Sequence, residues 1–336
     1  MKANKTGVLL INLGTPDNPS VGKVRSYLSQ FLNDPRVIDI PWLLRKILVN
    51  LIIVPFRAPK SAKIYNELWT DKGSPLIFHS ENAANLLQKE LGENYHVHLA
   101  MRYKNPGIPK VLEEMRLKNY DKIVVVTMFP QYASASTGSA LDLVMKEISK
   151  WWVIPELKII SQYYDHPDYI EGFVERGKQY NLDEYDHVLF SYHGLPTRQV
   201  DKVYDESLCE DHDCEKGITE QNKYCYKATS YATTRLLAEK LGIEEKDYTV
   251  CFQSRLDKNW LEPFSDKVVE QKAKEGAKKI LVFSPAFTAD CLETIIEIGD
   301  EYQEIFEAHG GEKVQLVESL NDHPKWISCL KDLVLN

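Results

Sequence analysis

Eight short runs rich in valine, isoleucine and leucine alternate with helix-length connections along the whole chain. The runs are GVLLINLG, HVHLAM, KIVVVTMF, LKIISQYY, HVLFSY, YTVCFQS, KKILVFS and VQLVES. Strands joined by connections of this length run parallel and need helices on both faces of their sheet. The loops after parallel strands meet at one edge, where open α/β proteins bind ligands. The pattern therefore predicts an α/β fold whose chemistry lies at that edge.

The two halves of the chain are similar to each other. KVLEEMRLKNYDKIVVVTMFPQY at 110–132 is similar to KVVEQKAKEGAKKILVFSPAF at 267–287, and INLGTP at 11–16 is similar to SYHGLP at 191–196. A repeat of this size indicates a duplicated unit of four strands. We predict two Rossmann-like halves, each a four-stranded parallel sheet flanked by helices. The predicted bounds are 1–165 for the first half, 166–320 for the second half and 321–336 for a C-terminal helix.

Titratable groups distinguish the two copies. Laying one half on the other puts His193 opposite Leu13 and Glu293 near Ser139. A group that the fold itself requires should tend to recur in both copies. His193 and Glu293 are therefore better candidates for function than for scaffold, although a histidine after a strand is often only a hydrogen-bonded loop residue.

An acidic stripe follows the strand KKILVFS. Asp290, Glu293, Glu297 and Glu301 lie in a predicted helix, and the last three are spaced by four residues, which puts them on one face. A solvated helix surface would explain such a stripe, and a helix N-terminus favours acids at its start. Alternatively, Glu293 and His193 face each other at the sheet edge, where they could share a divalent metal or divide the roles of base and ligand.

Charge and motifs exclude several function classes. The net charge of −8, with no basic arm, argues against nucleic-acid binding. The chain has no GxGxxG after its first strand, no GxxxxGK[ST] and no GxSxG, so dinucleotide, P-loop and esterase-type sites are not supported. The start lacks the features of a signal peptide, and we expect a cytoplasmic protein. The apolar stretch from Pro41 to Phe56 is too short to span a bilayer and predicts a buried or surface-lying amphipathic helix.

Motifs spread over nearly the whole chain resemble those of the ferrochelatase family, bacterial type. They are GVLLINLGTPDNP, MRYKNP, FPQYASASTGSA, SYHGLP, FQSR with NWLEP, and FSPAFTADCLETIIEI, in that order. Ferrochelatases insert ferrous iron into a porphyrin at the last step of protoheme synthesis. The resemblance implies a chelatase-like fold with two similar halves, in agreement with the duplication.

The resemblance also implies roles for individual residues. It assigns metal coordination and removal of pyrrole protons to His193 and Glu293, and a path for protons or metal to Asp290, Glu297 and Glu301. Cys291 stands where many members have a second histidine. The apolar segment before YNELW is similar to the family's porphyrin lip, which touches the membrane. The residues that the resemblance assigns to porphyrin binding are Arg102, Tyr103, Tyr132 and Trp260.

The substrates implied by the resemblance are Fe²⁺ and protoporphyrin IX, with no resident cofactor needed for catalysis. The alternatives are a chelatase for coproporphyrin III or another divalent metal, and a non-catalytic carrier of tetrapyrrole or metal. We expect a cytoplasmic protein with peripheral membrane contact through the lip. No feature of the sequence identifies an iron donor.

A cysteine-containing insertion at 205–228 leaves its chemistry open. It carries Cys209, Cys214 and Cys225, and some bacterial ferrochelatases hold a [2Fe–2S] cluster in an insertion like this. Such a cluster normally takes four thiolates. His212 could complete a Cys₃His set for zinc or a cluster, although the spacing is not that of a zinc ribbon. The other interpretation is three reduced loop thiols.

Overall fold

The computed structural model describes residues 5–336 and contains two compact units. The first unit takes in the residues up to Phe129, together with Ser134–Ser161 and Ile327–Asn336. The second consists of Pro130–Ala133 and Gln162–Trp326. The division after Ser161 lies a few residues before the predicted one at 165.

The last helix also departs from the predicted division. It was predicted as a separate element over 321–336, but it spans Pro324–Leu335, and its residues from Ile327 onward belong to the first unit. Lys158 Nζ in that unit donates to the carbonyl oxygen of Leu333 at 2.7 Å. A strand pattern does not reveal such a contact, because it shows where an element lies in the chain and not what it packs on.

The first unit contains a parallel sheet of four strands. They are β1 (Thr6–Asn12), β2 (Tyr95–Met101), β3 (Lys122–Thr127) and β4 (Glu156–Ile160). Their order is β2-β1-β3-β4, and every pair is parallel. All seven residues of β1 are buried, as expected for a central strand with helices on both faces.

The second unit repeats this arrangement. Its strands are β5 (His187–His193), β6 (Tyr248–Gln253), β7 (Lys279–Phe283) and β8 (Lys313–Leu316). They are ordered β6-β5-β7-β8, again all parallel. The identical strand order in both units confirms the predicted fold class and agrees with a duplication.

Twelve α-helices and several shorter helical segments surround the strands in the described part of the chain. In the first unit they are α1 (Val21–Leu32), α2 (Trp42–Ile47), α3 (Val54–Leu68), α4 (Pro75–Leu91), α5 (Ile108–Lys118) and α6 (Ser139–Ile148). The others are α7 (Pro167–Gly177), α8 (Thr197–Val200), α9 (Tyr226–Leu241), α10 (Ser265–Lys274), α11 (Tyr302–Ala308) and α12 (Pro324–Leu335). Segments of π-helix span Leu48–Ile53, Ser134–Gly138 and Glu293–Glu301.

The second sheet is anchored by a dense apolar core. Phe190 on β5 and Phe283 on β7 are fully buried, and their rings stack with centroids 5.1 Å apart. On the other face, Leu189 and Val282 pack against Phe306 of α11. Each such side chain contributes about 1.5–3 kcal/mol by leaving water. The core therefore holds the ends of β5 and β7 in fixed positions at the carboxyl edge.

The first residue of β5 makes this unit sensitive to acid. His187 is buried, its Nε2 lies 2.8 Å from Thr249 Oγ1, and its pKa falls from 6.5 to about 4. Loss of hydration is the main cause and Lys272 adds to it, while Asp247 and Glu275 oppose it. The folded state then binds this proton less readily than the unfolded chain does. Stability from His187 is complete above pH 6.5 and is lost as the pH falls toward 4.

We predict that His187→Gln removes this part of the acid sensitivity. The quantity to compare is the free energy of unfolding of the wild type minus that of the variant. This difference should be about 2 kcal/mol larger at pH 7 than at pH 4.5. Urea unfolding followed by circular dichroism at both pH values measures the difference. Parallel pH dependence in the two proteins would contradict the prediction.

Candidate active site

His193 ends β5 at the carboxyl edge of the second sheet and is half-buried. Its Nδ1 lies 2.7 Å from the carbonyl oxygen of Gly194. A carbonyl can only accept, so in the neutral ring Nδ1 carries the proton and Nε2 keeps the basic lone pair. The backbone therefore sets the tautomer that a proton acceptor needs.

Trp260 packs against the turn that follows His193. The amide of Gly194 donates to the carbonyl oxygen of Gln253 at 2.8 Å, and Trp260 forms a bridge with Pro196. A Cβ on Gly194 would lie 2.7 Å from that carbonyl oxygen and 3.2 Å from Trp260 Cε3. Only glycine allows this close approach. The structure thus brings the predicted residue Trp260 next to the turn after His193.

Glu293 begins a π-helix rather than the α-helix that the sequence predicts. Gln253 Nε2 donates to the carbonyl oxygen of Glu293 at 3.0 Å. In an α-helix this carbonyl would accept from the amide of Glu297, four residues later. The Gln253 side chain therefore competes with the regular backbone hydrogen bond of an α-helix. The wider π turn keeps residues spaced by four nearly in line along the helix. Glu293, Glu297 and Glu301 therefore still form a row.

Glu297 is the most firmly held acid of this row. Its carboxylate accepts from the amide of Ser254 at 2.8 Å and from the hydroxyl of Ser254. Gln253 Nε2 at 3.2 Å and the Tyr302 hydroxyl at 3.3 Å complete the set of donors. Ser254 has a φ of 61°, in the left-handed region that few residues other than glycine adopt. In this backbone conformation, the amide and the hydroxyl of Ser254 both donate to the same carboxylate.

Glu301, one turn further along the row, is exposed as a residue. The pKa of its carboxyl is nevertheless raised, first by partial burial and then by the like charges of Glu297, Glu304 and Asp300. This raised pKa favours proton pick-up at the outer end of the row.

Asp290 and Cys291 precede the row and are buried. Asp290 accepts from Asn321 Nδ2 at 2.7 Å, from the Ser319 amide at 3.2 Å and from the Thr294 hydroxyl at 3.2 Å. These bonds give Asp290 a structural role, and its place on a metal or proton path stays a prediction. Burial, with a smaller effect of Glu293, raises the pKa of the Cys291 thiol, which therefore stays neutral.

Gln253, which is buried at the end of β6, was not among the residues predicted from the sequence. Its Oε1 accepts from the Ser191 hydroxyl on β5 at 2.8 Å, while its Nε2 donates to both Glu293 and Glu297. The sequence signal for Gln253 was a polar residue at the end of an apolar strand, in the FQSR motif. No role follows from that signal without the fold, because its partners lie 40 and 62 residues away.

Arg102 and Tyr103 form a buried polar network in the first unit. Arg102 pairs with Asp34 and donates to Ser139 Oγ at 2.6 Å, and its guanidinium lies 4.6 Å from the centre of the Tyr103 ring. The Tyr103 hydroxyl donates to Asp34 at 3.0 Å. Both side chains thus have internal partners. Their predicted contact with porphyrin stays a prediction, as does that of Tyr132 in the second unit, whose ring lies edge-on to Tyr224.

The apolar lip segment is exposed rather than buried. Seven of its side chains are between 44% and 75% exposed: Trp42, Leu43, Leu44, Ile47, Leu51, Ile52 and Phe56. They lie on α2, the π segment Leu48–Ile53 and the start of α3. Over residues 5–336, no helix has the combined length and hydropathy needed to cross a bilayer.

The cysteines of the insertion lie together. Cys209, Cys214 and Cys225 are buried, and their sulfur atoms are 3.6 to 3.8 Å apart. The hydrogen bond between Cys209 and Cys214 lowers the pKa of the Cys214 thiol and raises the pKa of the Cys209 thiol. The structure does not bring His212 into this group, since its Nε2 lies 2.8 Å from Ser207 Oγ.

Comparison with known proteins identifies the family. The profile of the ferrochelatase family matches residues 5–336. Proteins named ferrochelatase from Legionella pneumophila and Coxiella burnetii are 44% and 42% identical to this chain over 331 residues. The Legionella alignment covers 98% of both chains, and the Coxiella alignment covers 97% of this chain and 92% of that relative.

Two solved structures share the fold. SirB from Bacillus subtilis, determined with Fe³⁺, has a TM-score of 0.56 at 12% identity, covering 98% of this chain and 94% of SirB. A multi-domain protein from Deinococcus radiodurans with structural similarity to chelatases has a TM-score of 0.53 at 10% identity, covering 98% of this chain and 55% of that protein. On the full-length family match and the identity to its curated relatives, this chain belongs to the ferrochelatase family.

Proposed function

We propose that this protein inserts Fe²⁺ into protoporphyrin IX to form protoheme. The observation that carries the proposal is the bond between His193 Nδ1 and the Gly194 carbonyl, which leaves Nε2 basic at the sheet edge. Replacing two pyrrole N–H protons with one Fe²⁺ releases two protons, so the site needs an acceptor near neutral pH and an exit. Imidazole is the side chain whose ordinary pKa suits the first task.

The acids of the π segment divide the remaining work. We propose that Glu293 accepts the second pyrrole proton and binds the incoming Fe²⁺. Its backbone carbonyl accepts a hydrogen bond from Gln253. Glu297, with four donors on its carboxylate, supplies a fixed negative charge that favours a cation beside it. Glu301, with its raised pKa, passes protons to solvent. Asp290 supports this end of the segment through its bonds to Asn321 and Ser319.

Aromatic residues provide the surface for the macrocycle. Trp260, held against the turn after His193, is proposed to contact one face of the ring, and Tyr132 to contact it as well. Arg102 and Tyr103 are proposed to support porphyrin binding in the first unit through their network with Asp34 and Ser139. In this scheme Fe²⁺ is a substrate, and the reaction needs no resident cofactor.

Iron insertion tests the function directly. Purified protein should convert protoporphyrin IX and Fe²⁺ to protoheme under anaerobic conditions, followed by the change in Soret absorbance. His193→Ala and Glu293→Gln should each lower kcat at least about 100-fold, the effect of removing a general base or an acid–base partner.

The matched controls for this assay are His309→Ala and Glu307→Gln. Glu307 lies in the last turn of α11 and His309 directly follows that helix, both beyond the C-terminal end of the π segment Glu293–Glu301. Both variants should keep wild-type turnover. No turnover by the wild type would support a carrier rather than an enzyme. Faster turnover with coproporphyrin III would reassign the substrate, and full activity of both site variants would overturn the assigned roles.

We further propose that the protein works in the cytoplasm at the surface of a membrane with anionic lipids. The seven exposed apolar side chains of the lip provide a hydrophobic face in the first unit. Beside it lies a groove of about 670 Å³ whose lining includes Arg25, Lys46 and Lys104. An apolar face next to basic side chains is typical of segments that lie in a membrane interface. A lip embedded there would take up a poorly soluble porphyrin from the lipid.

Vesicle binding tests the membrane contact. A Leu51→Glu/Phe56→Glu variant should bind vesicles of phosphatidylglycerol and phosphatidylcholine at least about tenfold more weakly than wild type, because two inserted apolar groups are replaced by charges. Leu117→Glu is the control, since Leu117 is also 69% exposed but lies on α5. Sedimentation with vesicles measures the bound fraction. Equal binding of all three proteins would contradict the proposal.

A further inference from the structure

In the part of the insertion that precedes α9, the three cysteines make up most of the buried residues. Between residues 201 and 225, the buried positions are Cys209, Cys214, Asn222 and Cys225. The regular structure there is limited to two turns of 3₁₀-helix, Asp201–Val203 and Cys209–Asp211. A segment with so little apolar burial lacks the hydrophobic contacts that normally fix a loop of this length. Small domains that have too little hydrophobic core are usually stabilised by a disulfide or a metal ion.

A disulfide does not fit the three thiols. The sulfur separations are 3.8 Å for Cys209–Cys214, 3.6 Å for Cys209–Cys225 and 3.7 Å for Cys214–Cys225. A disulfide needs about 2.05 Å, and it would leave the third thiol unpaired. The near-equal separations describe an equilateral triangle rather than a bonded pair.

This triangle has the size of one face of a tetrahedral metal site. For thiolates bound at about 2.3 Å to a zinc ion, tetrahedral geometry puts neighbouring sulfur atoms about 3.8 Å apart. All three separations agree with that edge to within 0.2 Å. One ion near the centre of the triangle would therefore lie within bonding distance of all three sulfur atoms.

The same triangle does not fit a binuclear iron–sulfur cluster. Each iron of a [2Fe–2S] cluster takes two protein thiolates, so four are required. A thiolate on the second iron lies farther from those on the first, because the bridging sulfides stand between them. Among residues 5–336, no fourth histidine, cysteine or acidic ligand atom joins the three thiols, and His212 is turned to Ser207 and stacked on Tyr204.

Polar groups around the sulfur atoms suit a thiolate site. The Tyr204 hydroxyl lies 3.1 Å from Cys214 Sγ, and Asn222 Nδ2 lies 3.9 Å from the same sulfur. Asn222 also closes the loop itself, by donating to the Gly217 carbonyl at 2.9 Å and accepting from the Thr219 amide. Donors that face a ligating sulfur orient it and stabilise its charge.

We propose that Cys209, Cys214 and Cys225 bind a single ion of the zinc class, which fixes the insertion to the start of α9. Thiolates select zinc over the harder divalent ions. Cys225 immediately precedes Tyr226, the first residue of α9, and the backbone of His193 makes a hydrogen bond to Tyr226. The ion would thus stabilise the wall of the second unit behind His193 while taking no part in iron insertion.

Metal analysis of the full-length protein tests the proposal. After exposure to Zn²⁺ and removal of free metal, the wild type should retain about one zinc per chain. Cys209→Ser and Cys225→Ser should each lose it. Cys251 is a buried cysteine on β6 outside the group, and Cys251→Ser should retain the zinc. His212→Ala should also retain it, because His212 lies outside the group.

Glu293→Gln distinguishes zinc bound by the three cysteines from zinc bound at the candidate active site. This variant should retain its zinc if the ion is bound by the cysteines. Treatment of the wild type with a chelator should open the insertion to trypsin at Lys216 and Lys223, and added Zn²⁺ should restore protection. This readout does not depend on activity or on the folding of a variant. The proposal is overturned by zinc-free wild type, by two irons with acid-labile sulfide per chain, or by proteolysis that chelation leaves unchanged.

Discussion

The side-chain amide of Gln253 joins three parts of the second unit. Its oxygen accepts from Ser191, two residues before His193 on β5, and its nitrogen donates to the Glu293 carbonyl and the Glu297 carboxylate. One buried amide therefore sets the position of the acid-bearing helix relative to the strand that carries the histidine. Loss of such a group leaves buried partners unsatisfied, at a cost of about 1–3 kcal/mol each. The same bond is made to the first residue of the π segment, Glu293.

The acids of the row differ in their surroundings, and this gives them different chemistry. Glu297 is enclosed by donors, whereas Glu301 is more exposed and its pKa is raised first by partial burial and then by neighbouring carboxylates. A fixed charge near the strand ends and a readily protonated group further out form a gradient along one helix. In the proposed function, this difference would attract cations inward along the helix and release protons outward.

Sequence patterns were sufficient to predict the fold and the position of the main candidates. The eight strands, their division into two similar sets of four and the location of His193 at the end of β5 follow from periodicity and from the comparison of the two halves. The order of the strands within each sheet was not predicted. The π geometry and the role of Gln253 could not be predicted, because both depend on bonds between residues distant in the chain. For the insertion, the sequence left a Cys₃His set open. The packing that turns His212 toward Ser207 is a tertiary property that spacing does not encode.

In the proposed mechanism, Gln253 fixes the acid-bearing helix relative to the strand that carries His193, and iron insertion depends on this arrangement. The direct measurement is the pH profile of kcat and the KM for porphyrin in Gln253→Leu, with Gln315→Leu on β8 as the control. A supporting residue of this kind should lower kcat about 10- to 100-fold, shift the pH profile and leave KM near the wild-type value. A Gln253→Leu protein with wild-type kcat and an unchanged pH profile would contradict the claim.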